Sequence, residues 1–403
     1  MNKKIFIILP HKDQFIKKYA GSASIWVKDF LKVSIYNKSI NVFGSTKDIN
    51  NLYSEKNYIN IPINNLKLTS KSKYYTNKLI NYCKKENPDI VEIHNRPSYL
   101  NNIYKEFNNT NFILIIHNDP LNLKGSITVN ERLDLLNKCY KIYFVSTWVE
   151  EKFFTGIDKN FYTNFKTIYP SISPIPNFPR KEKLIVFSGK LNNAKGFDKF
   201  SLAIIKILNK YKNWKSLVIG DEPRQKLFFN HERLSVLGFK NNDYVLNKLK
   251  EVSISVIPSK WNEPFGRASL EASSRGCAIV RSDTGGLKET ASNTLIIKNF
   301  TSNELFKKIE LLIINASLRK KLQKDTYKHF YLTNTFSSKK IDFLRKKILT
   351  KKTFIPISIN NLKILHITNF NERFDGRLHY NTGKRINNGL VRLGHNVLSV
   401  SDR

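Results

Sequence analysis

Two glutamates bracket seven residues in the stretch SKWNEPFGRASLEASSRGCAIV, which runs from Ser259 to Val280. The run before them, VSISVIPS, reads as a strand ending at Pro258, which leaves Glu263 in a loop. A helix then starts near Phe265 to Arg267, with Glu271 in its first two turns. A loop carboxylate and an early-helix carboxylate can face one cleft while touching different parts of a ligand. Between them the first-turn N–H groups lack intrahelical partners and form an anion site, where Gly266 lets a phosphate come close. One strand end could thus hold a sugar, a phosphate and a ribose together. A second stretch, FSGKLNNAKGF, follows another apolar run and sets Gly189, Lys190 and Lys195 in and around a flexible loop. Two cations there can neutralise a diphosphate. VIGDEP ends a further strand at Gly220, and SDTGGLKE ends another with Gly285 and Gly286 just before a helix. Taken singly, these are ordinary surface residues. What sets them apart is position, because each follows a strand's C-terminal end, where ligands bind in open α/β sheets.

The elements that must carry them alternate along the chain. Strands are read at KKIFIILP, INVFGS, DIVEIHN, NFILIIHN and KIYFVST, with helical stretches such as SIWVKDFLKVSIY, KYYTNKLINYCKK and YLNNIYKEF between them. Strands this apolar, separated by helices, predict a parallel sheet covered on both faces, so residues 1–175 are expected to be a doubly wound α/β domain. The proline-rich YPSISPIPNFPRKEK, Tyr169 to Lys183, continues neither helix nor central strand and reads as a hinge. Alternation restarts after it, which predicts a second such domain over 176–350, facing the first across a cleft. Residues 351–403 read as strand, helix and strand, the helix marked by Ile386, Leu390 and Leu393 and stopped by Gly394. A lone β-α-β unit cannot bury both its faces, so this segment is expected to be the start of an additional α/β domain.

The chain has 403 residues, enough for two domains and part of a third, and 41% of them are hydrophobic, which excludes wholesale disorder. Lys and Arg number 68 against 32 Asp and Glu, a formal net charge of +36. The lysines are scattered rather than gathered in a basic tail, so most of the charge reads as solvated surface, with contact to an anionic membrane as a secondary expectation. A non-catalytic nucleic-acid or polyanion binder is the alternative that the charge alone supports. It lacks the interleaved aromatics of single-strand binders and any helix-turn-helix or zinc pattern, so no nucleic-acid partner is expected. Cys83, Cys139 and Cys277 are odd in number and far apart, which fits a reducing, cytoplasmic setting. There is no D-x-D or H-E-x-x-H motif, and no metal or other cofactor is expected.

In order and approximate spacing, GKLNNAKG, VIGDEP, VLGF, PSKWNEPFGRASLEASSRGCAIV and SDTGGLKET resemble the group 1, family-four glycosyltransferases of GT-B fold. YAGSASIWV, IHN and VSTWV extend the likeness more loosely into the first half, over roughly residues 1 to 345. The resemblance implies a nucleoside-diphosphate-sugar donor, a glycan or lipid-linked acceptor and a retaining transfer, with cell-surface polysaccharide or lipopolysaccharide as the setting. Another GT-B enzyme, such as a sugar-phosphate synthase, is the alternative within the fold. Carried over by position, Glu263 contacts the donor sugar and Glu271 the ribose hydroxyls. Phe265, Gly266 and Arg267 present the helix start to sugar or phosphate, while Lys190 and Lys195 hold the diphosphate. Lys190 stands where the family more often has Arg, keeping the charge without the bidentate fork. Gly21 and Ser22 occupy the loop that caps the distal phosphate, and His117 ends its strand facing the donor sugar. The loop HNDPLNLKGSITVNER, with Gly125, is expected to contribute to acceptor binding.

Overall fold

The computed structural model describes residues 3–18, 20–54, 57–63, 70–107, 110–222, 230–350, 363–368, 382–392 and 395–401. The chain divides into two compact units, Met1–Phe354 and Ile355–Arg403.

The first unit holds two sheets. One is built from β1 (Ile5–Ile8), β2 (Ile40–Gly44), β3 (Tyr58–Asn60), β4 (Ile90–His94), β5 (Asn111–Ile116), β6 (Lys141–Phe144) and β7 (Phe165–Thr167), in the order β3-β2-β1-β4-β5-β6-β7. The other comprises β8 (Glu182–Ser188), β9 (Lys215–Ile219), β10 (Leu234–Val236), β11 (Val252–Ile257), β12 (Ala278–Ser282) and β13 (Leu295–Ile297), in the order β10-β9-β8-β11-β12-β13. Every pairing is parallel. The central strands explain this. β1, β4, β5 and β11 are buried at every residue, so both faces of each sheet must be covered by helices. Those helices are α1 (Ser22–Leu31), α2 (Lys71–Glu86), α3 (Pro97–Ile103), α4 (Val129–Lys138), α5 (Thr147–Phe153), α6 (Phe197–Lys210), α7 (Asn242–Lys248), α8 (Arg267–Ser274), α9 (Ser302–Ile314), α10 (Ala316–Lys328) and α11 (Asn334–Thr350). The short edge strands β3 and β7, three residues each, gave no apolar run for the sequence to announce.

Between β7 and β8 the proline-rich segment forms no strand or helix beyond one bridge, Ile172 to Thr333. The expected second domain ran to residue 350, yet its last helix packs on the first sheet. Ile341 and Ile348 of α11 pack into the core with β1, β2 and α1 of the first domain. Arg345 of the same helix makes a bidentate pair with Glu92 of β4, at 2.7 and 2.6 Å, with both side chains buried. Periodicity marks α11 as a helix but carries no address, and Glu92 inside a fully buried strand is what demands this cation.

The second unit contains β14 (Lys363–Thr368), α12 (Thr382–Arg392) and β15 (Asn396–Ser401), with the two strands parallel. Leu365, Ile367, Leu398, Val400, Ile386 and Val391 are exposed on it. Leu393 and Gly394 lie outside the described residues.

Candidate active site

A cleft of about 830 Å³ opens in the first unit between the C-terminal ends of the two sheets. In the second sheet the strand order reverses between β8 and β11, and the loops after these strands line one wall. Lys195 ends a single turn capped by Asn192, whose Oδ1 accepts the Lys195 N–H at 3.0 Å. The carbonyl of Ala194 in that turn accepts the N–H groups of Lys260 and Trp261, lashing the loop after β8 to the loop after β11. The lashing brings Lys195 Nζ to 2.5 Å from the Glu263 carboxylate. Lys190 sits exposed on the cleft lining.

Gly266 caps α8 with φ +103, in the left-handed region that favours glycine, and a Cβ there would meet Leu287 Cδ1 at 2.4 Å. No acceptor among the described residues takes the N–H groups of Gly266, Arg267 or Ala268. These donors therefore face the cleft ready for an anion. One turn along, Glu271 accepts from Asn242 Nδ2 at 2.7 Å and from Arg267 Nε at 2.9 Å. Burial lifts its carboxyl above the ordinary range, with Arg267 opposing the shift. Arg267 also reaches Asp29 on α1 at 3.2 Å, and Lys28 beside it lies 3.9 Å from Asp243, so charge pairs cross the cleft.

The first sheet supplies the opposite wall. His117 follows β5, and its Nε2 lies 3.0 Å from Nδ1 of His94, the last residue of β4. Trp26 of α1 meets the His117 ring edge-on at 5.8 Å. Burial pushes His117 down to about 3, and His94 is held well below its usual value by burial, His117 and Arg345. Both rings are thus neutral at physiological pH and one N–H lies in the bond between them, while His94 Nε2 has no hydrogen-bond partner among the described residues.

Ten of the twelve residues expected at the site line this single cleft: Ser22, His117, Gly189, Lys190, Lys195, Glu263, Phe265, Gly266, Arg267 and Glu271. Gly21 and Gly220 do not. The N–H of Gly21 is already given to the Asp13 carboxylate at 2.8 Å, so it is not an open phosphate cap. Gly220 stands behind the wall, where a Cβ would lie 1.9 Å from the Gly189 carbonyl oxygen. It is needed for the close approach of two loops. The ring of Phe265 is buried against Tyr169, leaving only its backbone for a ligand. Among the described residues no group of three or more His, Cys, Asp or Glu side chains is placed to hold a metal ion.

Residues 169–329 match the model of the family described as glycosyl transferases group 1. This segment is a group 1 glycosyltransferase domain. Among curated proteins, YtcC of Bacillus subtilis (strain 168) is 22% identical over 303 residues, 66% of this chain and 74% of its own. Spore coat protein SA of the same organism is 24% identical over 281 residues, 60% of this chain and 73% of its own. The first unit has the GT-B fold. Sucrose-phosphate synthase from Thermosynechococcus elongatus superposes with a TM-score of 0.69 at 15% identity, covering 86% of this chain and 99% of that one. Anabaena HepE in complex with UDP-glucose gives 0.65 at 14% identity, covering 85% and 99%.

Four residues around the group 1 domain's cleft escaped the sequence reading. Asn242 holds Glu271, Asp29 holds Arg267, His94 fixes His117, and Trp26 walls the cleft. Trp26 and Asp29 lie three apart on α1 and so share a face, a signal that could have paired them. Nothing local links Asp29 to Arg267, 238 residues away.

Proposed function

We propose that this glycosyltransferase moves a sugar from a nucleoside-diphosphate sugar to a hydroxyl of a glycan or lipid-linked saccharide, with retention of anomeric configuration. The observation that carries the reading is the meeting of Lys190, Lys195, Glu263, Glu271 and the open N–H groups of α8 in one cleft. Glu271 with Asn242 takes the ribose, and Lys190, Lys195 and the α8 N-terminus take the diphosphate. Lys195 is paired with Glu263, so a donor diphosphate would compete for the cation while its sugar meets the carboxylate.

In the transfer, the acceptor oxygen bonds to the anomeric carbon on the face from which the diphosphate leaves. The bond from that carbon to the leaving phosphate oxygen breaks, and the acceptor's proton passes to the departing phosphate. Charge growing on that phosphate falls beside two lysines and fixed backbone dipoles, which stabilise it without reorganisation. Those cations remove the need for a metal. The same reading places the enzyme in the cytoplasm, with peripheral contact to the anionic inner face of a membrane, and in polysaccharide or lipopolysaccharide synthesis. Among the described residues no helix is long and apolar enough to cross a membrane.

A donor panel read by thermal shift identifies the nucleotide, since a ligand that binds only the folded state raises its apparent stability. Glu263→Ala and Lys195→Ala should each lower transfer by about a hundred-fold or more while leaving the melting profile near that of the parent. Near-normal transfer by either variant removes that residue from the chemistry.

A further inference from the structure

The first sheet has a strand-order reversal of its own, between β1 and β4. Open α/β sheets bind ligands in the crevice outside such a reversal. In the second sheet that position holds the proposed donor site; in the first it has no role so far.

The residues there are cationic. His11 and Lys12 follow β1, Asn95 and Arg96 follow β4, and Lys71 opens α2. His11 is anchored twice on the buried Tyr99, with its backbone N–H 3.2 Å and its Nδ1 2.7 Å from the phenol oxygen. Arg96 and Ser72 lie close to the same Tyr99 side chain. Burial, then the charges of Arg96, Lys12 and Lys71, hold the half-buried imidazole below its usual value, so it is neutral at pH 7. Among the described residues no carboxylate pairs with Lys12, Lys71 or Arg96. Lys28, Lys195 and Arg267, by contrast, are paired with Asp29, Glu263 and Glu271. Three unmatched cations around a neutral ring repel one another, and a bound anion would relieve that repulsion.

The β4 end is tied to the cleft wall. Asn95, at φ +52, turns its Oδ1 to accept the N–H groups of His117 and Asn118, both on the cleft lining. The loop expected to contribute to acceptor binding packs against the start of α3, just after Arg96. Ser98 N–H bonds the Lys124 carbonyl, and Gly125, at φ +93, passes so close that a Cβ would meet Ser98 N at 2.6 Å.

We infer that the β1–β4 crevice, faced by His11, Lys12, Lys71 and Arg96, is an anion subsite that grips a phosphate ester or carboxylate carried by the acceptor saccharide. That the anion belongs to an acceptor rests on the glycosyltransferase reading, whereas the anion site itself does not. The test is calorimetric titration of the full chain, saturated with whichever of UDP, GDP, ADP, CDP and dTDP stabilises it. The probes are glucose 6-phosphate, glucuronate and glucose. At least one acidic sugar should bind about ten-fold or more tightly than glucose, and the stronger of the two tells phosphate from carboxylate. Lys12→Gln/Arg96→Gln should erase that preference, and Lys71→Gln, at an exposed helix start, should weaken it, with the nucleotide response unchanged in both. Equal binding of the three sugars by the parent, or an acidic preference that survives in the double variant, overturns the inference. Failure of the parent to respond to any of UDP, GDP, ADP, CDP and dTDP would instead overturn the nucleotide-sugar reading, and the sugar titrations would still decide the anion site.

Discussion

Acid should loosen this fold through the two histidines at the ends of β4 and β5. In the folded chain the His94 and His117 rings are buried and 3.0 Å apart, and neither has a carboxylate beside it to favour a charge. His117 falls from an ordinary 6.5 to about 3, and His94 moves the same way. The unfolded chain therefore binds protons that the folded chain refuses, and stability declines as pH drops from about 6.5 toward 3. At pH 5 the unfolded histidine is favoured by about 1.4 kcal/mol per unit over one and a half units, or about 2 kcal/mol for each ring. The pair reaches about 4 kcal/mol as an upper bound, a large share of the ~5–15 kcal/mol that holds a typical protein folded. The assay is urea unfolding followed by tryptophan fluorescence at about pH 7.5 and pH 5, comparing the parent with His94→Leu/His117→Leu. Every other titrating group is common to both proteins, so the parent should lose about 2–4 kcal/mol more than the variant. Equal losses would refute the reasoning, because they would mean the rings titrate as freely folded as unfolded.

Replacing Arg345 with Met should cost about 3–5 kcal/mol, because Glu92 would be left charged and unpartnered inside β4. Glu92→Met/Arg345→Met should recover most of that loss, read from urea midpoints. Burial raises the Glu271 carboxyl, so its contribution to stability is fully present below the unfolded value and lost as pH rises through the folded one. Glu271→Gln should accordingly leave the fold as stable or more stable at pH 7, while nucleotide affinity by calorimetry falls about ten-fold. Gly220→Ala places a methyl 1.9 Å from the Gly189 carbonyl oxygen at φ +140. It should push the Lys190 loop outward and cost about 1–3 kcal/mol in unfolding, with nucleotide binding weakened alongside.

The residues of the second wall were legible because each lies within a few positions of a strand end. The GKLNNAKG loop and the two glutamates needed only local periodicity to be placed on one sheet edge, and ten of the twelve expected residues share the cleft. Gly21 shows the limit of carrying a role by position. Its N–H is claimed by Asp13, eight residues earlier, a contact that depends on how the loop after β1 folds back. α11 shows another limit, since its buried stripe of Ile341, Arg345 and Ile348 fits either sheet until Glu92 is known to lie inside β4.

The amino-acid order alone determined the alternation of strands and helices, the break in that alternation after residue 168, and which residues follow the C-terminal ends of strands. Those features depend on contacts within one or two elements, where side-chain period and backbone geometry leave little choice. Only the tertiary structure decided that Arg345 reaches Glu92 253 residues away, that Arg267 bridges to Asp29, and that His94 and His117 hydrogen-bond each other. Such pairings form between groups that meet only after the sheets have closed, when burial makes an unmatched charge or donor costly. No local pattern encodes that cost.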